Sequence, residues 1–233
     1  MNPGLLAIRK RPIVSPLYSA VILGDTPLGY WRLGESSGST AADSSGNSYN
    51  GTYVNCTQGA PSLINNNGGD LAVSGDGTSS QIIVGAVPAL YNLSRSFSFE
   101  CWAKPASVSG YYGLWSAGYQ GWCVRMNSGQ LSFTQDYSVY IGTITTNFAV
   151  NTRYHIVCVM SSAGIVTAYI NGVSVGTLDM SAYTYSGQYV RIGADGYGPG
   201  NVGNFMSGEL DEVAVYNYML TPTQISNHYN TGK

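Results

Sequence analysis

The sequence predicts an all-β fold: a two-sheet antiparallel β-sandwich with an extended N-terminal arm and one short C-terminal helix. Three observations carry this. Charged residues are only 9% of the 233, while Gly 30 and Tyr 19 stand out; such chains fill turns and pleated surfaces, where long helices would draw on Glu, Lys, Leu and Ala. Short apolar runs recur between clusters of turn residues. Asn171-Gly172 joins two such runs, the strongest short hairpin signal, because a type I′ turn needs positive φ at both central residues.

The elements follow in order. Residues 1–17 form a segment of their own, holding three of the ten Lys and Arg (Arg9, Lys10, Arg11) and three of the nine prolines (Pro3, Pro12, Pro16). Such a segment packs no core and is expected as an extended arm, ordered where it docks. Residues 18–233 form the sandwich. Val21–Leu23 and Tyr30–Leu33 are strand-like, joined through Gly24, Asp25 and Pro27, and 34–51 is a polar loop. Gln81–Val84 is a short apolar strand. Ser96–Lys104 alternates, with Phe97, Phe99 and Cys101 on one face and Trp102 on the other. Tyr154–Met160 is nearly all apolar, as a strand buried on both faces would be. Val166–Ile170 and Val173–Thr177 flank the Asn-Gly turn, and Tyr189–Gly193 and Glu209–Tyr216 complete the strands. A helix starts at Thr221, with Pro222 in its first position and Gln224 three residues after the cap.

Composition narrows the function. A formal net charge of −2 argues against nucleic acid as partner, since phosphate binding needs a strongly basic face. No apolar run approaches the ~20 residues that span a bilayer. The basic residues 9–11 follow the apolar Leu5, Leu6 and Ile8, the reverse of a signal peptide, so synthesis in the cytoplasm without conventional secretion is expected. Cys56, Cys101, Cys123 and Cys158 are too scattered for a zinc signature and are expected as free thiols.

Several segments together resemble the laminin-G-like branch of the concanavalin A-like lectin/glucanase superfamily. They are Tyr30-Trp31-Arg32-Leu33-Gly34-Glu35, the loop from Ser37 to Asn47, Asn50-Gly51-Thr52, the strand from Phe97 to Pro105, Tyr154-His155-Ile156-Val157, Ala168 to Gly172, and Gly208 to Tyr216 followed by Leu220-Thr221. The resemblance covers about residues 18–232 and implies a jelly roll of two antiparallel sheets. The stretch from Ala20 to Leu33 is similar to the start of such domains in virion proteins of tailed bacteriophages.

That resemblance implies candidate sites. A structural calcium would fall to Asp43, Asn47 and Asp211; the alternative is that Asp43 caps an Asx turn and Asp211 accepts backbone N–H bonds. Glucanases of this superfamily set catalytic carboxyls on one strand. Here Glu209 and Asp211 share a face, Val213 holds its third position and Glu212 points away, so the acid–base partner is missing and no enzyme is expected. Sugars stack on exposed aromatics and bond to amides and carboxylates, which makes Trp115, Tyr119, Tyr197, Asp195 and Asn201 the carbohydrate-binding candidates; the alternative reading makes alternate aromatics core. His155 is expected in a core or interface.

Two functions follow as expectations. One is a virion structural protein, a capsid decoration or tail-associated subunit anchored by its arm to other subunits and homo-oligomeric, with a trimer as the expected form. The other is a calcium-dependent glycan-binding module or adhesin.

Overall fold

The computed structural model describes residues 16–93, 96–135, 139–198 and 200–233, with Tyr197 described by its backbone alone. The arm residues Arg9, Lys10 and Arg11 therefore lie outside the described residues. In chain order the helices are α1 (Tyr18–Gly24), α2 (Pro88–Tyr91) and α3 (Pro222–Gly232). The strands are β1 (Gly29–Trp31), β2 (Thr40–Ala41), β3 (Gly51–Val54), β4 (Thr57–Pro61), β5 (Leu71–Asp76), β6 (Gln81–Gly85), β7 (Phe97–Pro105), β8 (Tyr111–Ser116) and β9 (Trp122–Asn127). They continue with β10 (Gln130–Gln135), β11 (Val139–Ile144), β12 (Tyr154–Met160), β13 (Ile165–Ile170), β14 (Val173–Asp179), β15 (Val190–Ile192), β16 (Asp195–Gly198), β17 (Asn201–Gly203) and β18 (Ser207–Tyr216).

Two antiparallel sheets face each other. The first runs β14-β13-β12-β7-β18-β5-β4, and the second runs β11-β10-β9-β8-β15-β6-β3-β2. Along one edge of β18, β5 borders Ser207–Leu210 and β1 borders Val213–Val215. The core between the sheets is aromatic: Phe97 lies 4.6 Å from Trp122, and Trp115 sits between Trp31 and Phe99 at 6.0 and 5.9 Å. The alternation expected of β7 holds. Phe97, Phe99 and Cys101 enter this core, while Trp102 faces outward into a second apolar layer. β12 likewise sends Ile156, Cys158 and Met160 inward and Val157 and Val159 outward.

The second layer lies on the outer face of the first sheet, beneath α1, α3 and the segment 62–67. Leu63 and Ile64 of that segment pack with Tyr18, Ile22 and Ile225 over Trp102. This corrects the reading of Val21–Leu23 as a strand: the segment is helix α1. A three-residue apolar run is short enough to serve either state, and the deciding signal is the i, i+4 pair Tyr18 and Ile22, both fully buried. The Trp102 indole donates to the Tyr18 hydroxyl at 3.0 Å, fastening α1 to β7. The helix α2 and the strands between 51 and 76 and between 111 and 144 are further elements beyond those expected from sequence.

The C-terminal signals are realised. Thr221 accepts from the Gln224 backbone and the Gln224 side chain accepts from Thr221, forming a capping box. Thr221→Ala is expected to cost about 1 kcal/mol, read as a lowered thermal midpoint. Asn171 and Gly172 have φ of 53° and 79°, as a type I′ turn requires.

Candidate functional site

Outward-facing residues of the second sheet form a polar floor. The cross-strand register sets Thr134 of β10 opposite Cys123 of β9, Cys123 opposite Ser116 of β8, and Ser116 opposite Arg191 of β15. One step along, Ser132 stands opposite Arg125, and Arg125 opposite Gly113. Alternation dictates this, since Val124, Met126, Leu131 and Phe133 between them fill the main core. Ser116, Ser132, Thr134 and Arg191 are buried and Arg125 is nearly so.

The ribbon of β16 and β17 lies against this floor. Gly113 permits the approach: a Cβ there would sit 2.5 Å from the carbonyl carbon of Ala194. The ribbon is pinned by charge. Asp195 Oδ2 accepts from Arg125 Nη1 at 3.2 Å and from Asn204 at 3.2 Å, and Arg191 donates to the Gly198 carbonyl. Burial raises the Asp195 carboxyl above its ordinary range, against the pull of Asn204 and Arg125. Tyrosine rings cap both arginines, Tyr111 over Arg125 and Tyr189 over Arg191, each at 4.6 Å. Hydrogen-bonding capacity is left over: Arg125 Nε, Arg191 Nη1, Ser132 Oγ and Asp195 Oδ1 are buried with no partner.

The carbohydrate candidates divide. Trp115 is wholly enclosed in the core, which corrects its expected role as a stacking platform; a bulge in β8 between Gly113 and Trp115 turns it inward. Tyr119, at 39% exposure, lies on the turn before β9. Asp195 is buried in its ion pair rather than open to ligand, Asn201 is exposed on the ribbon, and the Tyr197 side chain lies outside the described residues. Sequence reasoning missed Arg125 and Arg191. Their signal was present, a charged residue at the outward position of an otherwise apolar strand.

Of the calcium candidates, Asp43 and Asn47 meet at the Ser45 hydroxyl, and Asp211 bonds to a different segment. Both Asp43 oxygens are spent on its own neighbourhood, accepting from the backbone of Tyr30, Ser45 and Tyr49 and from the Ser45 hydroxyl, all at 2.9 Å. The Asn47 amide donates to the Leu28 carbonyl. Asp211 accepts from Ser62 and the Leu63 backbone at 2.8 Å. These are the Asx-turn and backbone-acceptor roles weighed as the alternative. Among the described residues no group of three or more His, Cys, Asp or Glu is placed to hold a metal.

The acidic end of β18 differs from expectation. A bulge between Asp211 and Ala214, with Glu212 at φ 53°, turns Val213 into the main core and Glu212 outward with Asp211. Both carboxyls are buried, and burial together with their mutual repulsion holds the Glu212 carboxyl far above its ordinary range. Tyr30 donates to Glu212, and Arg32 pairs with Asp70. Glu209 instead pairs with Lys104 at 3.1 Å on the wall of an open cleft of about 230 Å³, lined also by Ser62, Asn151 and Arg153. Glu209 is the cleft's one carboxylate among the described residues.

Deeper under α3, Glu100 is the hub. It accepts from Tyr216 at 2.7 Å and meets His228 Nδ1 at 2.9 Å, and His228 Nε2 reaches Asp25 at 2.8 Å. His155 is buried, 3.4 Å from the same carboxylate and stacked on Trp102 at 5.0 Å.

Comparison with known proteins agrees with this architecture. A family model for the concanavalin A-like lectin/glucanases superfamily matches residues 76–226. A search of curated proteins finds no matching sequence. Among solved structures, Trypanosoma rangeli sialidase in complex with sialic acid superposes with a TM-score of 0.64 at 14% identity, over 88% of this chain and 33% of that one. The receptor-binding domain of botulinum neurotoxin C/D mosaic serotype superposes with a TM-score of 0.63 at 13% identity, over 88% and 51%. The chain thus spans about a third of the sialidase and half of the toxin domain.

Proposed function

Because the chain belongs to the concanavalin A-like lectin/glucanases superfamily, we propose that it is a non-enzymatic, lectin-like module that holds glycans on the outer face of its second sheet. One observation carries the reading: a floor of buried polar groups with unmet hydrogen-bonding capacity, bordered by tyrosine rings. Sugars need this pairing of directional polar groups with aromatic faces. The sialic acid complex of the sialidase-like neighbour lends support by analogy of fold alone.

The acidic residues support the non-enzymatic reading. Retaining hydrolysis needs two carboxyls about 5–5.5 Å apart on an open site. Among the described residues Glu209 is the one carboxylate of its cleft, Asp211 is buried against Ser62 and Leu63, and Glu212 is buried against Tyr30.

The geometry also suits display on a larger particle. Residues 1–17 precede Tyr18, whose backbone N–H donates to the Asn66 carbonyl on the helix-covered side of the domain, opposite the polar floor. We propose that these residues tether the domain to other subunits of a phage virion. Replacing Arg9, Lys10 and Arg11 together by Ala should then abolish co-sedimentation with particles stripped of the protein; unchanged rebinding would refute the tether.

The glycan reading is tested by screening the intact protein on a glycan array, with and without EDTA. Binding is expected in both conditions, since the calcium candidates are engaged within the protein. Complete absence of binding would overturn the reading.

A further inference from the structure

The floor of the second sheet carries more positive charge than its own carboxylates balance. Arg125 has Asp195 as partner at 3.2 Å. Arg191 has no carboxylate in ion-pair contact among the described residues, and Asp195 acts on it only at longer range. Its Nε donates to Gln81 Oε1 at 2.9 Å, a second nitrogen donates to the Gly198 carbonyl, and Tyr189 covers its face, all neutral groups. Its remaining nitrogen, Nη1, is buried without an acceptor, and so is Nε of Arg125. A buried guanidinium lacking a counter-ion is costly, and a guanidinium fork matches a carboxylate or sulfate by paired, charge-assisted hydrogen bonds.

The one internal anion arrives on the ribbon. Asp195 sits in a glycine-rich hairpin, with Gly193, Gly196, Gly198 and Gly200 around it, and its carboxylate rests on Arg125 much as an acidic group of a ligand would. The two arginines stand on strands separated by β8 alone, with Arg125 two residues along from Cys123, which shares the row of Arg191; at ~4.8 Å per strand and ~3.4 Å per residue they lie roughly 12 Å apart, within the span of one oligosaccharide.

We propose, resting on the glycan reading above, that this floor selects sugars bearing a negative charge, a carboxylate or a sulfate ester, and that Asp195 occupies in the unliganded protein the place the ligand's charge takes on Arg125. Arg191 is the primary anion partner. Ser132 lies beside Arg125 in the register and supplies a hydroxyl to the sugar. Ligand entry lifts the ribbon, breaking the Arg191 bond to Gly198.

The test compares matched neutral, carboxylated and sulfated forms of one oligosaccharide on the intact protein. A charged form is expected to bind roughly 10–100-fold more tightly than the neutral one, the worth of a charge-assisted hydrogen bond. Whichever charged form is preferred identifies the anion. Arg191→Gln should bring the affinity for the charged form down to that for the neutral one, and Asp195→Asn should tighten binding of the charged form by freeing Arg125. Should Arg191→Gln fail to fold, the wild type still decides, because salt should weaken the charged sugar and spare the neutral one. Equal affinity for neutral and charged forms, a preference that survives Arg191→Gln, or binding insensitive to salt would overturn the inference while leaving a glycan-binding module. Failure of all three sugars and of the wider array would take down both.

Discussion

Glu100→Ala is expected to destabilise the protein by about 3–5 kcal/mol, the loss that follows when one partner of a buried charged network is removed. The carboxylate is fully buried on β7 and serves three groups at once: the Tyr216 hydroxyl, His228 and, at 3.4 Å, His155. Burial alone would raise its pKa, but the two histidines and their hydrogen bonds hold it well below the ordinary range. Removing it leaves His228 with Asp25 as its one carboxylate partner among the described residues and leaves the Tyr216 hydroxyl without its acceptor. Thermal unfolding reads the effect; for a chain of this size the midpoint should fall by roughly 10 °C. A change under 2 °C would mean that α3 is held by Ile225, Tyr229 and Trp102 alone. The substitution should leave the main core intact, since Phe97, Phe99 and Trp115 lie on the other side of β7.

The same cluster should make stability depend on pH. Burial works against the charge on His228, yet Glu100 and Asp25 hold its pKa up at about 9. In the unfolded chain it is about 6.5. Below 6.5 both states carry the proton and the stabilisation is complete. Between 6.5 and 9 the folded state keeps a proton the unfolded state has lost, so stability falls as pH rises, by about 3 kcal/mol in all. The groups facing His228 are Glu100 from β7, Asp25 after α1 and Tyr216 from β18, with His155 close by on Glu100. Asp211 and Glu212 add a slope of the same sign. Burial raises both carboxyls, so the folded state holds protons above the unfolded value of ~4 and loses stability as pH climbs from there. Urea unfolding at pH 5, 7 and 9.5 should show the highest midpoint at the acid end. His228→Gln should flatten the upper limb, and Asp211→Asn the lower one. A midpoint that rises toward pH 9.5 would contradict both assignments.

The sequence by itself determined the fold class, the central strands, the Asn171-Gly172 turn and the cap of α3. These are local: a side-chain period of two, a turn needing positive φ, and an N-cap are each written within a few neighbouring residues. It also offered the roles of Asp43 and Asp211 as turn and backbone acceptors, because short acidic side chains bond to nearby N–H groups. The tertiary structure alone decided where aromatic and charged residues finally face. One extra residue in β8 turned Trp115 into the core, and one in β18 turned Glu212 outward beside Asp211; a bulge shifts every later side chain by one face and leaves no composition signal. Helix α1 was decided by Trp102 and α3, far along the chain. The assembly of the polar floor was likewise decided far along the chain. Arg125, Arg191 and Asp195 come from three separate strands, and only pairing of β9, β8 and β15 beneath the ribbon brings their charges to one surface.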